Sequence, residues 1–234
     1  MKRFLRPAAA LAALALLGAA SDPKNPTCPA EPDWGPAQAM TLTPRTVNGV
    51  HVLVAEGIID ASLPNRLKAA IDKDEQLLEI WVRSRGGDAH AGNEAGKVIR
   101  SFPGMITRIP AGWTCFSACN FVFMGGEARL VDPGGVFMVH MFTHTGDREA
   151  IYLAAEEGTA ETVRLIAEIE QSSALLATED NDFLIRMGVS RTLLTDVMYK
   201  QQAVATDENP STRYCLNQDE VVQYNVAYRQ EGAG

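Results

Sequence analysis

The sequence predicts an α/β domain with a largely parallel sheet flanked by helices. Short β-branched runs alternate along the chain with longer segments whose apolar residues recur at helical spacing, and this alternation is typical of parallel strands joined by helical crossovers. A chain of 234 residues is long enough to bury a sizeable core in one domain. We therefore expect one domain over residues 46–230, preceded by a separate N-terminal region.

The first 20 residues have the three-part pattern of a secretory signal peptide. Lys2, Arg3 and Arg6 precede an apolar run rich in alanine and leucine, which ends in small residues before Ser21. The run is short for a transmembrane helix, and an uncleaved anchor is the alternative interpretation. We expect cleavage near Ala20 and residence in the periplasm or outside the cell.

Residues 21–45 are predicted to form an extended arm, because proline and alanine are dense there and no periodicity is present. An oxidising compartment favours disulfides, and a bond between Cys28 and Cys215 would tie this arm to the domain. The state of Cys115 and Cys119 is left open. Zinc is a weak alternative for that pair, since no second close pair of cysteine or histidine residues accompanies it.

The elements of the domain follow from local composition. β-branched and aromatic runs predict strands at 49–59, 79–84, 105–110, 128–132, 135–142 and 213–216. Apolar residues at helical spacing predict helices at 63–79, 90–102, 118–126, 147–200 and 217–225. Asp60 or Ser62 can cap the first of these helices, and Asn217 can cap the last.

Two glycines mark the end of the second predicted strand. Gly86 and Gly87 permit a backbone turn with positive φ and the close approach of a ligand, and ligands of such sheets bind where the strands end. A plain tight turn is the alternative. The sequence lacks the G-x-x-x-x-G-K-[ST] pattern of a phosphate-binding loop.

Ser117 and His140 are the residues that could carry chemistry. Ser117 precedes an apolar helix, where it would be either a helix cap or a nucleophile. His140 interrupts an apolar strand; it is either a satisfied core residue or a base that accepts a proton from serine near neutral pH. A serine activated by a neighbouring histidine is the general arrangement for nucleophilic acyl transfer, and a helix start supplies free N–H groups, including that of Ala118, for an oxyanion.

Three segments in this order resemble Clp-type serine peptidases of the ClpP/crotonase superfamily, in particular their exported relatives that lack an ATPase. They are IWVRSRGGDAHAGNEAGKVIRSF, PAGWTCFSACNFVFMGGEARLVDPGGVFMVH and YCLNQDEVVQYNVA. The resemblance extends from about residue 50 to 227. It implies repeated β-β-α units, with Ser117 as nucleophile and His140 as general base. It also implies an oxyanion hole formed by the backbone N–H groups of Gly87 and Ala118, with Gly86 allowing the turn.

Two positions depart from the family pattern. The family's Ser-Pro-Gly-Gly turn has Arg85 in place of proline here, which leaves both glycines intact. The third catalytic member, an aspartate shortly before the last strand, would fall near Arg213, where no aspartate stands. Asp207 is the nearest upstream aspartate, and Asp196 and Asp219 are the other candidates. The site is therefore a triad completed by one of these carboxylates, a Ser–His dyad, or a site without activity.

The resemblance implies a serine endopeptidase that cleaves peptides or unfolded polypeptides, needs no cofactor, metal or ATPase partner, and forms a homo-oligomer. The net charge of -8 argues against nucleic acid and anionic membranes as partners. A catalytically silent peptide-binding or scaffold protein is the main alternative. An acyl-CoA enzyme of the crotonase type would need carboxylates over the thioester and access to coenzyme A. A Ser–Lys site would need Lys97, which is more simply a solvated helix residue.

Overall fold

The computed structural model describes residues 21–140, 147–200 and 213–228. The strands are β1 (Ser21–Asp22), β2 (Asn25–Pro29), β3 (Thr41–Val47), β4 (Val50–Glu56), β5 (Leu77–Arg83), β6 (Ile106–Ile109), β7 (Thr114–Phe116), β8 (Ala128–Val131), β9 (Val136–His140) and β10 (Arg213–Cys215). The helices are α1 (Leu63–Asp72), α2 (Ala89–Arg100), α3 (Cys119–Met124), α4 (Arg148–Glu157), α5 (Thr159–Met187), α6 (Thr192–Lys200) and α7 (Gln218–Gln223).

The main sheet has the strand order β3-β4-β5-β6-β8. Only its β3–β4 pair is antiparallel, and the other pairs are parallel. A second sheet has the order β10-β9-β7, in which β7 and β9 are parallel and β10 is antiparallel to β9. Two strands precede a helix in the units β3-β4-α1 and β6-β7-α3. The structure confirms the predicted α/β class with a mostly parallel sheet flanked by helices.

Some elements differ from the sequence-based prediction. β3 begins at Thr41 and contains Pro44, and most of its residues are partly or fully exposed. It is therefore an edge strand, where proline is tolerated and where the period-2 signal of a half-buried strand is absent. The predicted first helix ends at Asp72, because Leu77 and Leu78 already belong to β5. The long helical region is divided where the backbone of Gly158 and Gly188 turns to positive φ.

Helix α2 packs closely against α3, which follows Ser117. A Cβ atom at Gly92 would lie 2.6 Å from the carbonyl oxygen of Ala118, and one at Gly96 would lie 2.3 Å from that of Phe121. Both distances are too short for any side chain, so glycine is required for this approach. The close packing fixes the start of α3 relative to the glycine turn that precedes α2.

The N-terminal arm is attached covalently to the last strand. Cys28 of β2 is disulfide-bonded to Cys215 of β10. The side-chain oxygens of Asn25 and Thr27 accept hydrogen bonds from the backbone N–H groups of Arg213 and Cys215, at 2.6 Å and 3.0 Å. The arm thereby lies beside β10, the outer strand of the three-stranded sheet, and Cys28 packs with Met138 in a small buried cluster. Within the described ranges, no helix is long and apolar enough to cross a membrane.

A half-buried carboxyl group lies where α5 packs against α2. Burial raises the pKa of Asp180 to about 7; the nearby Asn93 amide offsets part of this effect, and the charge of Glu179 adds to it. The folded-state pKa is thus above the ordinary value of 3.8, so the unfolded chain binds fewer protons between these values. The free energy of unfolding should therefore fall as the pH rises from about 4 to 7.

Asp180→Asn should remove this pH dependence. Compared with the wild type, the variant is expected to have a higher Tm at pH 8, and the difference should vanish near pH 4. Thermal melts across this range measure it. Asp182→Asn is the matched control, since Asp182 is an exposed neighbour on the same helix. Parallel pH profiles for the wild type and both variants would contradict the assignment.

Candidate active site

The segment that begins the glycine turn after β5 is hydrogen-bonded to β7, the strand that leads to Ser117. The N–H of Ser84 donates to Thr114 O at 3.1 Å, and the N–H of Phe116 donates to Ser84 O at 3.0 Å. The buried hydroxyl of Ser84 accepts a hydrogen bond from the N–H of Gly86 at 2.9 Å. The short strand β7 and the turn at Gly86 are therefore held side by side.

Ser117 lies at a sharp turn from strand β7 into helix α3. Its φ is 60°, a region that non-glycine residues seldom adopt and that is often found at functional sites. A strand-to-helix turn of the same kind exposes the nucleophile in α/β-hydrolases. Ala118 occupies the N-cap position of α3, and no side chain caps this helix. The Ser117 side chain therefore does not cap α3.

The hydroxyl of Ser117 instead contacts His140. The distance between Ser117 Oγ and His140 Nε2 is 2.7 Å. The parallel pairing of β7 with β9 places Phe116 opposite Met138 and brings the end of β9 beside the turn. The Asn120 Nδ2 atom donates to Met138 O at 2.7 Å, and this bond fixes α3 to β9. The fold thus brings together the serine and the histidine that the sequence analysis singled out.

A second disulfide braces the turn that carries Ser117. Cys115 of β7 is bonded to Cys119 of α3, and both residues are fully buried. The spacing of four residues resembles a pair on one helix, where side-chain directions rarely suit a disulfide. Here the two cysteines lie on different elements on either side of Ser117. The short covalent loop restricts the backbone of the three residues that it encloses.

The backbone N–H groups of Gly87 and Ala118 belong to two turns that contact each other. A Cβ atom on Gly86 would be 2.7 Å from Ser117 Cβ and 3.1 Å from Ala118 N, so the glycine turn is in contact with the serine. In the part of the chain that the structure describes, neither Gly87 N nor Ala118 N donates to a protein acceptor. Two such donors beside a nucleophile can stabilise an oxyanion.

The candidate third members lie in different places. Asp207 lies outside the described residues. Asp196 is near Tyr224, and burial together with a hydrogen bond to Asp196 raises the pKa of that phenol. Asp219 is in the first turn of α7, where its N–H donates to the capping side chain of Asn217.

The two alternative interpretations, a Ser–Lys site and a zinc site, depend on the surroundings of Lys97 and of the cysteines. Lys97 forms an ion pair with Glu94 at 2.7 Å on the half-exposed side of α2, as a solvated helix residue would. Across the described ranges, no group of three or more histidine, cysteine, aspartate or glutamate residues is arranged to hold a metal ion. All four cysteines form disulfides.

Two side chains near the site were assigned no role from the sequence. Arg213 lies directly opposite His140 in the antiparallel register of β10 and β9, and Trp34 of the N-terminal arm packs against Phe116 with ring centroids 5.6 Å apart. No local signal connects Trp34 with the site, because the arm reaches it through the distant bond between Cys28 and Cys215.

Comparisons with known proteins give matches at the level of structure. No protein-family model matches the sequence, and none of the curated proteins matches it. A mutant of ClpP1 from Listeria monocytogenes is similar over 75% of this chain and 88% of its own, with 16% identity and a TM-score of 0.49. A mutant of the 1510-N membrane-bound stomatin-specific protease is similar over 75% of each chain, with 15% identity and a TM-score of 0.44. Similarity of this degree does not indicate an activity.

Proposed function

We propose that the protein is a serine hydrolase that cleaves peptide bonds. The observation that carries the proposal is the 2.7 Å contact between Ser117 Oγ and His140 Nε2 at a turn where Ser117 has positive φ. A serine held in this way, beside a base and next to free backbone N–H groups, has the parts that acyl transfer needs.

The mechanism follows from the roles of these atoms. His140 Nε2 takes the proton of Ser117 Oγ as the oxygen attacks the substrate carbonyl carbon. The N–H groups of Gly87 and Ala118 donate to the developing oxyanion. His140 then returns the proton to the leaving amine, and an acyl-enzyme remains. Water, deprotonated by the same imidazole, releases the acid and restores the serine.

A catalytically silent peptide-binding protein is the second candidate function. The observation that favours it is Arg213, which lies opposite His140 near the point where the family resemblance calls for an aspartate. Under our proposal, Asp207 is the carboxylate nominated to orient His140, and a Ser–His dyad is the form without it.

A fluorophosphonate probe distinguishes the two candidates. The probe reacts covalently with an activated serine, so the wild type should be labelled once per chain and should hydrolyse a mixed peptide library. Peptide mapping should place the label on Ser117. If the folded wild type takes no label and cleaves no peptide or ester, the silent candidate is correct.

We also propose that the protein is exported and self-associates. The charged and apolar pattern of residues 1–20 supports export. Several large apolar side chains on α4 and α5 support self-association, because they are 40% or more exposed: Ile151, Tyr152, Leu153, Val163, Ile166, Leu175 and Ile185. Light scattering should give several times the mass of one chain, and a clean monomer at micromolar concentration would count against it.

A further inference from the structure

Arg213 shares one face of the small sheet with the residues of the candidate site. It is the direct partner of His140 in the β10–β9 register, and directly opposed residues of antiparallel strands project to the same face. Phe116 is the partner of Met138, two residues before His140, so its side chain lies on that face too. The three side chains are therefore neighbours on a single surface.

Two aromatic rings hold the guanidinium of Arg213. Its central carbon lies 5.4 Å from the ring centroid of Trp34 and 5.6 Å from that of Phe116. The Phe116 centroid is in turn 4.6 Å from that of His140. Aromatic rings interact with the flat faces of a guanidinium and leave its N–H edges available for hydrogen bonds.

The guanidinium of Arg213 has no hydrogen-bond acceptor or carboxylate among the described residues, and its Nε atom is buried. Other arginines with little exposure have partners for their charge: Arg83 and Arg108 each bind two carboxylates, although Arg83 Nε is also buried without an acceptor, and Arg129 donates to backbone carbonyls. A buried donor without a partner is costly. Arg213 therefore stands out as a cationic group that is positioned but not used within the described fold.

The nearby carboxylate of Asp22 is not the hydrogen-bond acceptor of the Arg213 guanidinium. Its carboxylate accepts hydrogen bonds from Asn25 Nδ2 at 2.8 Å and from the N–H of Lys24 at 2.9 Å. These contacts, with that of Asn25 the larger, hold the pKa of Asp22 below its ordinary value, and the charge of Arg213 contributes least to this effect.

We propose that Arg213 binds a carboxylate of the substrate beside the Ser117–His140 pair. The inference rests on the proposed peptidase function and specifies its substrate class. The Phe116 ring centroid lies 4.6 Å from that of His140 and 5.6 Å from the central guanidinium carbon of Arg213. The distance between the imidazole and the guanidinium therefore cannot exceed the sum of these two distances. With about 3.5 Å per extended residue, the carboxylate would lie within about three residues of the cleaved bond. It is either an acidic side chain or the chain terminus.

A substrate carboxylate bound to Arg213 would also favour proton transfer from Ser117 to His140. Arg213 places a positive charge near the imidazole that becomes cationic when it takes the serine proton, and like charges at short range repel. A substrate carboxylate on Arg213 neutralises that charge. An acidic substrate would thus reduce the repulsion that the cationic imidazole experiences from Arg213.

Peptide binding to the Ser117→Ala protein tests the inference without requiring hydrolysis. Three peptides of one sequence are compared by calorimetry: one with Glu and an amidated C-terminus, one with Gln and a free C-terminus, and one with Gln and an amide. At least one carboxylate peptide should bind about ten to a hundred times more tightly than the neutral one. The peptide that does so identifies the source of the carboxylate.

In the Ser117→Ala protein, a further Arg213→Gln substitution should abolish the tighter binding of the carboxylate peptide. Arg213→Lys should keep part of this difference in affinity, since lysine retains the charge but not the planar fork of the guanidinium. Arg45→Gln is the matched control, because it removes the same charge from the exposed edge strand β3. Equal binding of all three peptides, or the same loss with Arg45→Gln, would overturn the inference. The peptidase proposal fails separately, if the wild type neither hydrolyses peptides nor takes the probe.

Discussion

Ser117→Ala is expected to reduce kcat for peptide hydrolysis on the order of a millionfold while the fold survives. The substitution removes the only atom that attacks the substrate in our mechanism. Its structural cost is small, because a hydrogen bond such as the one to His140 contributes about 1 kcal/mol and the side chain caps no helix. Steady-state kinetics and a thermal melt of the same preparation measure both effects.

His140→Ala should lose a comparable factor, and the double variant should be hardly worse than either single one, because residues that act as a unit show non-additive losses. Asp207→Asn separates the two forms of the mechanism, since it should reduce kcat only if that carboxylate orients His140. Ser101→Ala is the matched control: Ser101 is exposed and its hydroxyl donates to Val98 O. Additive losses at Ser117 and His140 would show that the two residues do not act together.

Gly86→Ala is expected to lower both activity and stability. The backbone of Gly86 has a φ of +91°, and a Cβ atom there would lie 2.7 Å from Ser117 Cβ and 2.8 Å from Phe116 O. The strained conformation costs about 1–3 kcal/mol, and relief of the clash must move the turn or the serine. A displacement of about 1 Å at a reacting group can cost about a hundredfold in rate.

Gly104→Ala is the control for this substitution. Gly104 has a similar φ of +78°, but nothing lies within 4 Å of the position of its Cβ atom. It should share the conformational cost and leave kcat unchanged. Activity and Tm are measured for both variants. If Gly86→Ala and Gly104→Ala had the same kcat, the contact between the glycine turn and Ser117 would have no catalytic importance.

The sequence was informative where a physical signal is local. Alternating strand and helix patterns predicted the parallel sheet, and Asn217 indicated the start of α7, where it forms a capping box with Glu220. Strand β7 has three residues, too few for a periodicity to be recognised. The orientation of Arg213 depends on Trp34, which is brought close by a bond between two distant cysteines. Contacts between residues so distant in the sequence cannot be predicted from local composition.

The disulfide between Cys28 and Cys215 also affects how cleavage of the backbone can be detected. It joins residues separated by 187 positions, so most of the polypeptide lies within one covalent loop. A single backbone cut anywhere inside that loop leaves both pieces attached and raises the mass only by one added water. Fragments separate after the disulfide is reduced. A cut in this loop would therefore release no smaller fragment on a non-reducing gel, and the two fragments would appear only after a thiol is added.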